Sequence, residues 1–203
     1  MSSRRDERLR AAAEAEARRT RNGRLIAFAI ALAAAAILAF ALTYDTGPGA
    51  PSSEALSQLR DAAAAGGCTV SAFPTEGREH TSAPVTYHSN PPTSGRHNPA
   101  PAPDGAYSKA PSKENYVHSL EHGRIELQYR PGAPPAVLNA LRGVYAESTH
   151  HMLLFPNNTG MDYEVAATAW KHRLGCVRFN ARVPEALRRF RDAYRDRGPE
   201  QIP

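Results

Sequence analysis

The sequence predicts a small α+β domain: a mixed sheet with flanking helices and a long, ordered Pro-rich loop, preceded by one transmembrane helix. Three observations carry this reading. Short stretches of strand character alternate irregularly with helical ones, which argues for a single modest sheet. Seventeen prolines and fourteen glycines among 203 residues favour a loop-rich fold over a helical bundle. An uninterrupted apolar run stands near the N-terminus, apart from everything that looks globular.

Residues 1–24 carry eight arginines against four acidic groups, and the remainder holds seventeen basic and sixteen acidic residues. The net charge of +5 therefore sits almost wholly in the tail. A nearly neutral folded part does not provide the basic face a nucleic-acid binder needs, so no nucleic acid is expected as partner. Leu25–Leu42 contains no charge, Pro or Gly, and Thr43-Tyr44 extends it. At about 1.5 Å per residue, residues 25–44 cross a hydrocarbon core of about 30 Å. Arginines crowd its N-terminal side, and the next basic residue is Arg60. The positive-inside rule then gives a cytoplasmic tail (1–24), a single bilayer span (25–44), and an extracytoplasmic C-terminal domain at the cell membrane. The rival is a cleaved signal peptide ending at Ala39-Phe40-Ala41, against which stand the long basic region and long apolar core.

Residues 45–66 read as a turn-rich stalk and a juxtamembrane helix. Leu56 and Leu59 recur at three in Glu54–Ala65, and Gly66-Gly67 ends the run. The domain proper, 67–203, opens with a strand at Thr69–Phe73 and extended chain over Pro84–His88. Asn90-Pro91-Pro92 forbids a helix, and the loop stays Pro-rich to Pro111. Ser112 caps a short helix from Lys113 to His122, and Gly123 takes its left-handed terminus. Ile125–Tyr129 alternates apolar and polar, a half-buried strand. Pro134-Pro135 opens a helix with Val137, Leu138, Leu141, Val144 and Tyr145 on one side. Met152–Phe155 is a buried strand stopped by Pro156, and Tyr163–Trp170 another. Pro184 starts a last helix, with Leu187, Phe190 and Tyr194 inward and arginines outward.

Chemistry concentrates in Val117-His118-Ser119-Leu120-Glu121-His122-Gly123. His118 and His122 stand one helical turn apart and share a face. The spacing matches H-x-x-E-H, in which Glu121 would be general base on a metal-bound water. The bland alternative is a hydrogen-bonded histidine pair closing a helix. The Pro-stiffened loop Asn90–His97 could bring His97 over the pair. Three imidazoles at about 2.0–2.1 Å would leave a fourth position for water, Glu121 or Met161. Imidazole suits copper or zinc, and Met161, or less readily Met152, could supply a soft sulfur for cuprous copper. His88, His150, His151 and His172 stand in reserve; on a strand, His150 and His151 would point oppositely. Thr93-Ser94-Gly95 lacks the G-x-S-x-G setting of a nucleophilic serine. Asn157-Asn158-Thr159 reads as a turn.

Cys68 and Cys176 flank the domain, and an exported domain favours their disulfide over two buried thiols. Closing a loop of about 108 residues contributes about 4–5 kcal/mol on the chain-entropy account.

Tyr87, Asn90-Pro91-Pro92-Thr93-Ser94-Gly95, His97, Gly105-Ala106-Tyr107, Val117-His118, Leu120-Glu121-His122-Gly123, Pro156-Asn157, Ala166–Trp170 and Leu174-Gly175-Cys176 together resemble the family called domain of unknown function 3105. The resemblance covers about residues 66–178. It implies a membrane-anchored bacterial protein and no known activity, with His97, His118 and His122 among its signature residues. Three functions follow as expectations. The first is a copper- or zinc-binding extracytoplasmic domain, which is not an enzyme. The second is an interaction module with structural histidines and an unidentified membrane or cell-surface protein as partner. The third is a metal-dependent hydrolase using Glu121.

Overall fold

A computed structural model of the protein describes residues 49–200 and residue 202; the basic tail and the predicted span at 25–44 lie outside these. Among the described residues no helix is long and apolar enough to cross a membrane. The described chain forms a six-stranded sheet and four helices. In chain order these are α1 (Ser53–Gly66), β1 (Cys68–Ala72), β2 (Gly105–Ala106), α2 (Lys113–Glu121), β3 (Ile125–Tyr129), α3 (Pro135–Glu147), β4 (Met152–Pro156), β5 (Val165–Ala169), β6 (His172–Cys176) and α4 (Val183–Tyr194).

The strand order is β1-β6-β5-β3-β4-β2. The β1, β6, β5 and β3 strands run antiparallel to their neighbours, whereas β3, β4 and β2 are mutually parallel. The mixed α+β class is thus observed. Local chemistry sets the helix ends. The Ser52 hydroxyl accepts from the Ala55 amide at 3.1 Å, and Gly67, left-handed at φ 65°, closes α1. Pro135 starts α3 and Pro184 lies in the first turn of α4, where a missing N–H costs nothing.

Both faces of the sheet are covered. Ile125, Leu127, Met152, Leu154, Val165, Ala167 and Leu174 pack against Leu59 of α1, Leu141 and Val144 of α3, and Leu187 and Phe190 of α4. The helix read from the sequence as juxtamembrane is therefore part of this core, with Leu59 and Ala63 buried in it. On the opposite face Leu153 and Phe155 meet Tyr116, Val117 and Leu120 of α2, together with Ala102 and Trp170. Tyr116 stacks on Phe155 at 5.0 Å. Truncating Phe155 to Ala there would cost about 3–5 kcal/mol.

Two expectations are corrected. The β3 strand is not half-buried: Glu126 and Gln128, its polar alternates, are 0% exposed because α2 and the loop cover their face. Polar alternation marks a solvated face only when nothing packs on it. The stretch Tyr163–Trp170 yields a shorter strand, Val165–Ala169, followed by a turn at Lys171 (φ 65°) and the unforeseen β6. Pro84–His88, read as extended chain, lies within the loop and pairs with no strand among the described residues.

Cys68 and Cys176 are directly opposite in the β1–β6 ladder and form a disulfide. Cys176 is fully buried, so packing as well as the bond holds this corner. Alkylation in denaturant without reductant should label neither sulfur, and labelling of both in freshly isolated protein would refute the bridge.

Glu126 is the anomaly of the core. Its Oε2 accepts from Thr168 Oγ1 at 2.6 Å and Gln128 Nε2 at 2.9 Å, while Oε1 has no hydrogen-bond partner among the described residues. Burial drives its pKa well above the usual carboxylate value of 4.5, and the two donors pull back only partly. The folded state consequently holds a proton that the unfolded chain releases above pH 4.5. Stability contributed by this group is complete below that pH and lost as pH rises, at up to about 1.4 kcal/mol per pH unit. Glu126→Gln should therefore flatten the decline in unfolding free energy between pH 5 and pH 8, measured by denaturant titration. An unchanged pH slope would show that Glu126 is ionised in the fold.

Candidate metal centre

The α2 helix carries two of the expected residues, His118 and Glu121, and His122 caps its C-terminal end. Its first turn is capped by Ser112, whose side chain accepts from the Asn115 amide. Its last turn closes where the His122 amide donates to the His118 carbonyl at 3.2 Å. Gly123 follows at φ 80°, and a Cβ there would lie 2.9 Å from the Asp196 backbone, so only glycine fits. The chain after α4 packs along this end: Asp196 N donates to Gly123 O, and Glu200 N to Glu121 O.

The Pro-rich loop is tied down group by group. Glu76 accepts from the amides of His88 and Ser89 and from the Ser89 hydroxyl at 2.8–3.1 Å. Burial opposes ionisation of that carboxyl, but the donors prevail and its pKa is lowered. The Lys171 amide donates to Thr93 O, and the Glu76 amide to Ser94 Oγ. Gly95 sits at φ 126°, where a Cβ would press into the Tyr87 ring at 2.9 Å. The loop thus delivers His97, fully buried, against α2. Backbone bonds from Thr81 N to His97 O and from His97 N to Glu79 O carry a second imidazole, His80, alongside.

His80, His97, His118 and Glu121 converge, with one ligand atom from each lying within 4.8 Å of all the others. Ring centroids are 4.6 Å apart for His97–His118, 4.8 Å for His80–His118 and 5.1 Å for His80–His97. Both inner rings are oriented by backbone. His97 Nδ1 lies 2.7 Å from Gly95 O and His118 Nδ1 lies 2.6 Å from Asn98 O, so each Nδ1–H donates and each Nε2 is left for a cation. His97 Nε2 is 2.9 Å from Glu121 Oε2, yet it makes no hydrogen bond among the described residues. The contact nevertheless brings a buried imidazole nitrogen against a buried carboxylate oxygen. The other Glu121 oxygen accepts from Arg78 Nε at 2.6 Å. Desolvation, against the Asn98 bond and in concert with the neighbouring imidazoles, lowers the His118 pKa and favours the neutral, ligating ring.

His122 stands at the edge of this group. Its ring is 4.4 Å from His118, and its Nε2 lies 3.3 Å from Glu200 Oε2. Burial first, then Arg124, lowers its pKa. His118, His122 and Glu200 form a second set of donors, again within 4.8 Å of one another. The expected trio His97, His118 and His122 is thus divided between two adjoining sets. Met161 is buried in the turn after Pro156, its amide bonded to Asn157 Oδ1, and Met152 belongs to the α1/α3/α4 core. His150 and His151 do not alternate on a strand. His151 adopts φ 53° in the turn before β4, and the two rings stack at 3.8 Å. His88 is exposed beside Glu76, and His172 stacks on Tyr194 at 4.1 Å. Sequence reasoning missed His80, Arg78 and Glu200. No spacing rule flags them, since His80 and Glu200 arrive by long-range backbone contacts and Arg78 by a side-chain bond to Glu121.

Fold and site together define a compact α+β domain with a buried histidine–carboxylate cluster at the end of a short helix. The chain belongs to the family described as protein of unknown function (DUF3105), whose profile matches residues 78–203. The match starts later than the stretch read from the sequence and runs on through α4, taking in all six converging residues but not Cys68. No curated protein and no solved structure matches.

Proposed function

We propose that this domain binds a transition-metal ion, zinc or copper, through His80, His97, His118 and Glu121. The observation that carries the reading is His97 Nε2: buried, oriented by Gly95, and set 2.9 Å from a carboxylate oxygen without a hydrogen bond. A proton on Nε2 would make the contact an ion pair. It would not account for His80 and His118 converging on the same carboxylate. Three imidazoles and one carboxylate form a borderline set that suits divalent zinc or copper. The Arg78 guanidinium on the second oxygen of Glu121 supports a ligand role over that of a free general base, and so counts against the hydrolase reading.

Full-length protein, purified in detergent without a histidine tag, should take up zinc or cupric ion stoichiometrically. His97→Ala and His118→Ala should each weaken binding at least tenfold. Equal binding by all three proteins, or none by the wild type, would refute the site and leave the interaction-module reading in first place.

The domain is further proposed to lie outside the cytoplasm, anchored by residues 25–44. The support is the uncharged run and the arginine bias before it. Alkaline phosphatase fused after Pro203 should be active in a bacterial host, and a fluorescent cytoplasmic reporter at the same point should be dark. The reverse pattern would overturn this topology.

A further inference from the structure

The centre holds more donors than one ion can use. His80, His97 and His118 form a triangle of imidazoles with centroids 4.6–5.1 Å apart, His122 adjoins His118 at 4.4 Å, and two carboxylates border the group, Glu121 from α2 and Glu200 from the chain folded back onto it. His118 belongs to both four-residue and three-residue sets. Its Nδ1 is committed to Asn98 O, so it has a single lone pair and serves one ion at a time. His122 Nε2 is the second orphan of the cluster: its side chain is 5% exposed, it stands 3.3 Å from Glu200 Oε2, and it makes no hydrogen bond among the described residues. A single ion on the inner set leaves that nitrogen unexplained.

We propose that the centre takes two divalent transition ions, dividing its donors three and three: His80, His97 and Glu121 for one, His118, His122 and Glu200 for the other. This rests on the metal-binding reading and extends it. A lone first ion has four donors with His118 among them; arrival of the second transfers His118 to the outer position. Each ion then keeps three protein ligands, one of them a carboxylate, and an open position for an outside ligand. The carboxylates also offset the repulsion between the two ions, with Arg78 beside Glu121 and Arg124 near His122 as fixed cations on the flanks. Arg124 is itself paired with Asp104 at 3.2 Å. Each position has one ligand open to solvent, His80 for the first ion and Glu200, 40% exposed, for the second, whereas His97 and Glu121 are 0% and 2% exposed.

The test is zinc titration of the full-length, metal-free protein, followed by calorimetry and by metal analysis after gel filtration. The wild type should bind two equivalents, the second more weakly. Glu200→Gln, an exposed change that leaves the core alone, and His122→Ala should each bind one, with first-equivalent affinity within about threefold of wild type. With cupric ion, the doubly loaded wild type should show a spin-coupled resonance spectrum, and Glu200→Gln an isolated-ion one. One equivalent in the wild type would overturn the two-ion centre while leaving the single site standing, as would two equivalents in both variants. No uptake by the wild type would remove both readings.

Discussion

A buried face of the sheet covered by irregular chain imposes a strict requirement: every backbone polar group there must find a partner without a helix or a ladder to supply it. The segment between β1 and α2 meets it with side chains. Glu76 gathers the amides of His88 and Ser89, Ser94 takes the Glu76 amide, and Asn115 Nδ2 donates to Ala100 O. Each bond contributes only about 0.5–1.5 kcal/mol net, but leaving a buried group unpaired costs about 1–3. The loop therefore has one low-energy path, and His97 lies on it. The orientation of His97 and His118 through the carbonyls of Gly95 and Asn98 is a by-product of the same accounting, because those carbonyls needed donors and the imidazoles provide them.

How much of this was legible follows from the range of the forces involved. The α2 helix and its caps were readable because Ser112, the Lys113–His122 run and Gly123 act on their neighbours in sequence. The strands β3 and β4 were readable as strands, and β4 as a buried one, but the two-sided burial of β3 was not. Glu126 and Gln128 look solvent-facing until α2 is laid across them. The β6 strand was hidden because His172-Arg173-Leu174-Gly175-Cys176 carries its pairing partners on β1 and β5, not in its own composition. The centre divided in the same way. His118, Glu121 and His122 announce themselves by spacing. His80 joins only through backbone bonds to His97, and Glu200 only because Gly123 and Gly198 let the last segment lie flush against α2.

That last contact explains why a terminal segment matters to a site assembled so far upstream. The amphipathic α4 packs Leu187 and Phe190 into the core, while Arg188 reaches across to Glu147 of α3 at 2.7 Å. With α4 fixed, Asp196 and Glu200 are brought onto the end of α2, where Asp196 also pairs with His151. Hydrophobic burial on one face of the sheet thus positions a carboxylate on the other.

The sheet's outermost strands have a consequence for association. The β2 strand is two residues long, a span too short to template a further strand from another molecule. At the opposite margin β1 follows directly from α1 and is stapled to β6 at its first residue. Growth by strand addition, the commonest hazard of an open sheet, is therefore curtailed at the β2 margin. A second protein meeting the domain there would have to read side chains rather than borrow backbone.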